Sequence, residues 1–160
     1  MKISFPLIIT FLILLFSVNS QNLIPHFSNP KFESLVAQRV MDKYVCDTNV
    51  TILLNGNESL QSYVKGVTYQ YSENLYQISL STYIVDKMDR VWVLLHEMGH
   101  VIDMVNGDLC QNPKYWLGER MTHYIPYDDR PWEKSADNWA LVLWLDVIGE
   151  ILEEISQEDK

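Results

Sequence analysis

The sequence predicts an α+β domain with an N-terminal helix, a short, mostly antiparallel sheet, a buried middle helix, an irregular loop and a long C-terminal helix. Three observations carry this prediction. Apolar residues recur at helical spacing in three segments, they alternate with polar ones in two segments between the first and second helices, and the middle helix is apolar nearly all round. With 160 residues, 48% of them hydrophobic, the chain suits one packed domain and not a disordered polymer. Its 12 Lys and Arg against 21 Asp and Glu give a net charge of -9. Phosphate binding needs clustered cations, so nucleic acid is excluded as a partner.

Residues 1–20 read as a signal peptide. Lys2 opens an apolar run from Ile3 to Phe16, and Val18 and Ser20 hold the small positions of a cleavage site. The rival is a membrane anchor, which needs about 20 apolar residues and finds fewer here. A single secreted, extracellular domain over residues 21–160 is therefore expected, with no stable membrane association after cleavage. An oxidising compartment favours a disulfide between Cys46 and Cys110; the alternative is two buried thiols. Asn49 and Asn57 each begin a glycosylation tripeptide.

The elements follow in order. Asn29-Pro30 caps and starts a first helix, in which Phe32, Leu35, Val36, Val40 and Tyr44 share a face; it ends near Cys46. Val50–Leu54 is a short β-prone run closed by the turn signal Asn55-Gly56. Val67–Tyr71 and Leu75–Thr82 alternate around Ser72-Glu73-Asn74, the pattern of an antiparallel pair. Asp86 or Asp89 caps the middle helix, which runs to about Val105 and stops at Asn106-Gly107. Asp108–Asp129 shows no period, although its aromatic residues argue for packing. Asp129-Arg130-Pro131 starts the last helix, which reaches about Ile155.

The middle helix holds His96-Glu97-Met98-Gly99-His100. Histidines at i and i+4 stand one turn apart on one face, so both imidazoles can reach one metal ion. Glu97 stands beside them, placed to act on a water and not to ligate. A lone carboxylate in a helix with almost no polar face would be costly to bury, and a metal site removes that cost.

Catalytic zinc takes three protein ligands and keeps one open position, and there are three candidates for the third ligand. Glu133 shares a helical face with Ala136, Asp137 and Ala140. The two alanines would let the last helix approach the His helix, and Asp137 would then orient a ligand imidazole through its other nitrogen. Glu119 and His123, four residues apart in the loop, lack that small-residue face. Asp103 stands near an unfavourable helix end and should have a partner.

The motif His96-Glu97-x-x-His100 joined to Glu133-x-x-Ala136-Asp137-x-Trp139-Ala140 resembles the gluzincin zinc metallopeptidases, nearest the minimal gluzincins and the small ImmA/IrrE-like domains. The likeness covers about residues 89–144; Ser135 and Trp139 depart from the usual pattern, and the spacing to Glu133 is long. The resemblance implies a zincin-like fold and one zinc ion held by His96, His100 and Glu133, with Asp137 behind the ligands and Glu97 as the catalytic general base. It implies a metalloendopeptidase hydrolysing peptide or protein substrates by Glu97-assisted attack of water on the peptide bond. His123, Tyr124 and Tyr127 are the candidate donors to the oxyanion. It further implies an antiparallel sheet above the metal whose edge strand, expected at Leu75–Thr82, holds the substrate. The alternative is a secreted non-catalytic zinc-containing binding protein or effector.

Overall fold

A computed structural model describes residues 30–45, 49–57, 60, 63–111, 114–121 and 125–158. The expected signal peptide, the Asn29 cap, Cys46, His123 and Tyr124 lie outside them. Helix α1 spans Pro30–Tyr44 and buries Phe32, Val36 and Val40 of the stripe its periodicity marks, with Tyr44 partly buried, whereas Leu35 is exposed. Strands β1 (Thr51–Asn57), β2 (Gly66–Ser72) and β3 (Leu75–Ser81) form one sheet in the order β1-β3-β2. The β2–β3 hairpin is antiparallel as expected, whereas β1 runs parallel to β3.

Two expectations are corrected here. Asn55-Gly56 is not a turn: both residues continue β1 and pair with Ser79 and Leu80, because an extended partner is available along their whole length. Leu75–Thr82 is not an edge. β3 lies in the centre, with β1 on one side and β2 on the other, and it is buried through Ile78–Ser81. The edge next to the His helix is β2, where Tyr69 and Tyr71 are exposed.

Helix α2 spans Lys87–Val105. Asp86 is its cap, accepting a hydrogen bond from the Asp89 N–H at 2.9 Å. Gly107 follows the helix at φ +81, where a residue without a β-carbon is favoured. Residues 108–129 are not an irregular loop. They carry a second sheet of three short antiparallel strands, β4 (Leu109–Gln111), β5 (Lys114–Trp116) and β6 (Glu119–Arg120), then a 3-10 turn at Tyr127–Asp129. Strands of two or three residues are too short to show alternation. The β5–β6 turn places both Leu117 (φ 49) and Gly118 (φ 79) in the left-handed region, and Leu-Gly is not among the favoured pairs for such a turn.

Helix α3 spans Pro131–Leu143 with Pro at its start. Asp129 belongs to the 3-10 turn; the cap position is Arg130, which makes no side-chain capping bond. A π-helical turn at Trp144–Ile148 carries the rod on into α4, Gly149–Glu158. Among the described residues no helix is long and apolar enough to cross a membrane.

α2 is the centre of the domain. It packs along α3 and also meets β2, β3, α1 and β4. Val91, Leu94, Leu95, Met98, Val101 and Ile102 are all buried, as an all-round apolar helix requires. The approach of α3 is close because the contact is built from small residues. A β-carbon on Gly99 would stand 2.8 Å from Trp139 Cβ and 3.0 Å from Ala136 Cα. Ala136 and Ala140 are fully buried at this seam.

Candidate metal centre

The Gly99–Ala136 contact brings the histidines of α2 against Glu133 and Asp137 of α3. The His96 and His100 rings stand edge to face, 4.9 Å apart. Each presents its Nε2 to Glu133 Oε2 at 3.3 Å. His96 Nδ1 lies 2.8 Å from Asp137 Oδ1, which assigns that nitrogen as donor and leaves Nε2 for the centre. Trp132 Nε1–H donates to Glu133 Oε1 at 2.9 Å, so one carboxylate oxygen is fixed and the other faces the imidazoles.

Three donor atoms from His96, His100 and Glu133 lie within 4.8 Å of one another and could hold a metal ion. The spacing fits. A tetrahedral ion with bonds of about 2.0–2.2 Å separates its donors by roughly 3.3–3.6 Å, and both Nε2–Oε2 distances are 3.3 Å. The electrostatics also suit a cation. Burial works to raise the Glu133 carboxyl, but hydrogen bonds from His100 and His96 outweigh it and hold the group well below the usual carboxylate range. Burial opposes the charge on His96, yet Glu133, Glu97 and Asp137 together hold its pKa above the ordinary imidazole value.

Glu97 does not join the three donors. It is 5% exposed and turns toward β2, where the Thr68 hydroxyl donates to its Oε2 at 2.7 Å. Burial pushes its pKa up, and the neighbouring histidines and Thr68 pull against that shift. Gly66 makes room for the carboxylate: a β-carbon there would stand 2.6 Å from Glu97 Oε1 and 2.7 Å from Val93 Cγ1.

Asp103, one turn beyond His100, is 2% exposed. Its expected partner is Trp139, whose Nε1–H donates to Oδ1 at 2.8 Å. Burial raises the Asp103 pKa. Among the described residues, Asp103 Oδ2 and His100 Nδ1 are both buried without a hydrogen-bond partner.

A cavity of about 260 Å³ opens on the three donors and is also lined by Leu109, Gln111, Lys114 and Trp132. A wider one of about 750 Å³ lies on the other flank, against Tyr63, Trp92 and Arg130. Gly66, His96, Glu97 and Tyr127 line both, so one cleft crosses the centre.

The structure thus brings together His96, Glu97, His100, Glu133 and Asp137. Glu119 is exposed on β6 and does not belong to the donor group. Tyr127 lines the cleft, while His123 and Tyr124 lie outside the described residues. Cys110 is exposed and has no disulfide partner among the described residues; its expected partner Cys46 is not one of them. Asn49 is exposed, and Asn57 ends β1. Sequence reasoning missed Gly66, Thr68, Gln111, Lys114 and Trp132 as parts of the site. None belongs to a motif; their roles come from β2, β4, β5 and α3 meeting at one cavity.

Comparison with protein-family models, with curated proteins and with solved structures finds no match for this chain.

Proposed function

We propose that the chain is a secreted zinc metallopeptidase that hydrolyses peptide bonds. The observation that supports this most is Glu97: a buried carboxylate beside the three donors, anchored by Thr68 and aimed into an open cleft. A site that held metal for stability alone would not need it. The donor set of two imidazoles and one carboxylate suits zinc, held by His96, His100 and Glu133.

When bound, zinc supplies Lewis acidity that makes water a stronger acid and polarises the scissile carbonyl. Glu97 takes the proton from the attacking water and delivers it to the amine nitrogen as the C–N bond breaks. Thr68 keeps the carboxylate in one orientation throughout. Tyr127 donates its hydroxyl to the developing oxyanion. Burial, then the Glu133 charge, pushes its pKa well above the ordinary value, so the proton stays on. Asp137 holds the His96 ring, and Trp132 holds the Glu133 carboxylate.

The substrate backbone lies along the open side of β2, the strand edge beside Glu97. Ser81 N–H donates to the Lys65 carbonyl, so Gly66, Thr68 and Gln70 point away from β3. The Gln111 side chain already occupies part of that edge, donating to the Thr68 carbonyl at 2.9 Å and accepting from the Gln70 N–H at 3.2 Å. Gly66 and its neighbours are left for the substrate.

The test is Glu97→Gln. The zinc-loaded variant should keep stoichiometric metal and lose at least about 100-fold in cleavage of unfolded casein. Equal cleavage by the variant rules out this reaction, and a wild-type chain that takes up no zinc rules out the site.

A further inference from the structure

We propose that Lys114 forms a carboxylate-binding subsite in the cleft beside the three donors, so that substrates carrying an anionic group there are preferred. This rests on the peptidase reading above and names its substrate class.

The subsite is built from three observations. The first is that Lys114 is a cation without a counter-ion. Among the described residues its ammonium makes no hydrogen bond and no ion pair, whereas Arg39, Lys43, Lys65, Arg90 and Lys134 each have a carboxylate within 4.0 Å. Its close partner among the described residues is the face of Trp132, with Nζ 4.1 Å from the ring centroid.

The second is placement. Lys114 lines the same cavity of about 260 Å³ as His96, Glu97, His100 and Glu133. Trp132 connects the two ends: its N–H holds Glu133 and its face carries Lys114. Burial depresses the Lys114 pKa, with Glu133 acting against that shift. A partly desolvated ammonium gains more from an incoming anion than a fully hydrated one does. With zinc bound, the Glu133 charge is engaged by the metal, and Lys114 is the cation left facing the cavity.

The third is where the free strand edge ends. The Gln111 amide takes the Thr68 carbonyl and the Gln70 N–H, the groups that a longer extended substrate would pair with next. The β2 ladder therefore ends beside Lys114. A chain entering from the wider cavity reaches the end of that ladder with a positive charge beside it. Two carboxylates fit that chemistry: an Asp or Glu side chain, or the carboxyl terminus of the substrate.

The experiment measures binding, separately from turnover. The full chain carrying Glu97→Gln, loaded with zinc, is titrated by fluorescence anisotropy against two labelled peptide pairs. One pair differs only in a free or amidated C-terminus and has no acidic residue. The other is amidated and differs only in an internal Glu or Gln. One or both carboxylate peptides should bind about 10-fold or more tighter than the neutral partner. Adding Lys114→Met, or Lys114→Gln as a second neutral variant, should bring the ratio close to one, and Lys114→Arg should restore it. The pair that discriminates identifies the source of the carboxylate. Equal binding within both pairs, or a preference that survives both neutral variants, overturns the subsite. If binding discriminates yet the chain with Glu97 intact cleaves none of these peptides, the subsite stands and the peptidase reading fails.

Discussion

Gly99 of α2 lies so close to Ala136 of α3 that a β-carbon would stand 3.0 Å from the Ala136 Cα, a backbone atom with little freedom to yield. The two helices that supply the metal donors therefore meet through a contact that only glycine permits. The same seam sets how far Glu133 stands from His96 and His100.

Gly99→Ala should consequently destabilise the metal-free chain by about 1–3 kcal/mol and weaken zinc binding as α3 moves outward. Urea unfolding and zinc competition with a chromophoric chelator measure the two effects. An unchanged midpoint together with unchanged affinity would show that the seam does not set the site.

Glu133→Ala should abolish stoichiometric zinc binding, because two imidazoles alone remain. Asp137→Ala should lower affinity by about 10- to 100-fold, through loss of the hydrogen bond that orients His96. Glu119→Ala, exposed on β6, should change nothing. Zinc lost from the Glu119 variant and kept by the Glu133 variant would reverse the assignment of the third ligand.

Gly66→Ala introduces a methyl group 2.6 Å from Glu97 Oε1 and 2.7 Å from Val93 Cγ1. Glu97 must turn aside or β2 must retreat. Cleavage should fall by about 10-fold or more, while zinc affinity stays near wild type, because Gly66 touches none of the three donors. A matching loss of zinc would place the damage in the fold and not in Glu97.

Thr68→Val removes a hydrogen bond to the ionised form of a carboxyl that burial already raises. The sign follows directly. The Glu97 pKa rises further, and a general base works only when ionised, so activity disappears at a higher pH as the solution is acidified. The acid limb of kcat/KM should move to higher pH in the variant, with the alkaline limb unmoved. A shift to lower pH would contradict the hydrogen-bond assignment.

Much of this arrangement is legible in residue order. The spacing of His96 and His100 puts two imidazoles on one face whatever the tertiary context, because helical geometry is local. Glu133, Ala136, Asp137 and Ala140 share a face for the same reason, and their small members already indicate a close helix contact. Gly99, the other half of that contact, stands inside the motif but has no special meaning until α3 lies against it. The chain between Asp108 and Asp129 was opaque because its strands are only two or three residues long. The place of β3 was opaque too: a hairpin leaves both outer sides open, and only the parallel pairing of β1 makes β3 central and β2 the edge.

What residue order determined by itself was the helical scaffold and the two histidines on one face, since periodicity and i, i+4 spacing depend on neighbours along the chain; of the three candidates for the third donor, only the packing of α3 on α2 brings Glu133 to them. Tertiary structure alone decided which strand faces Glu97, that Thr68 and Gly66 orient and accommodate it, and that Trp132 links Glu133 to Lys114. Glu97 meets Thr68 and Gly66 across 29 and 31 positions, and Trp132 meets Lys114 across 18, and no local rule encodes such meetings.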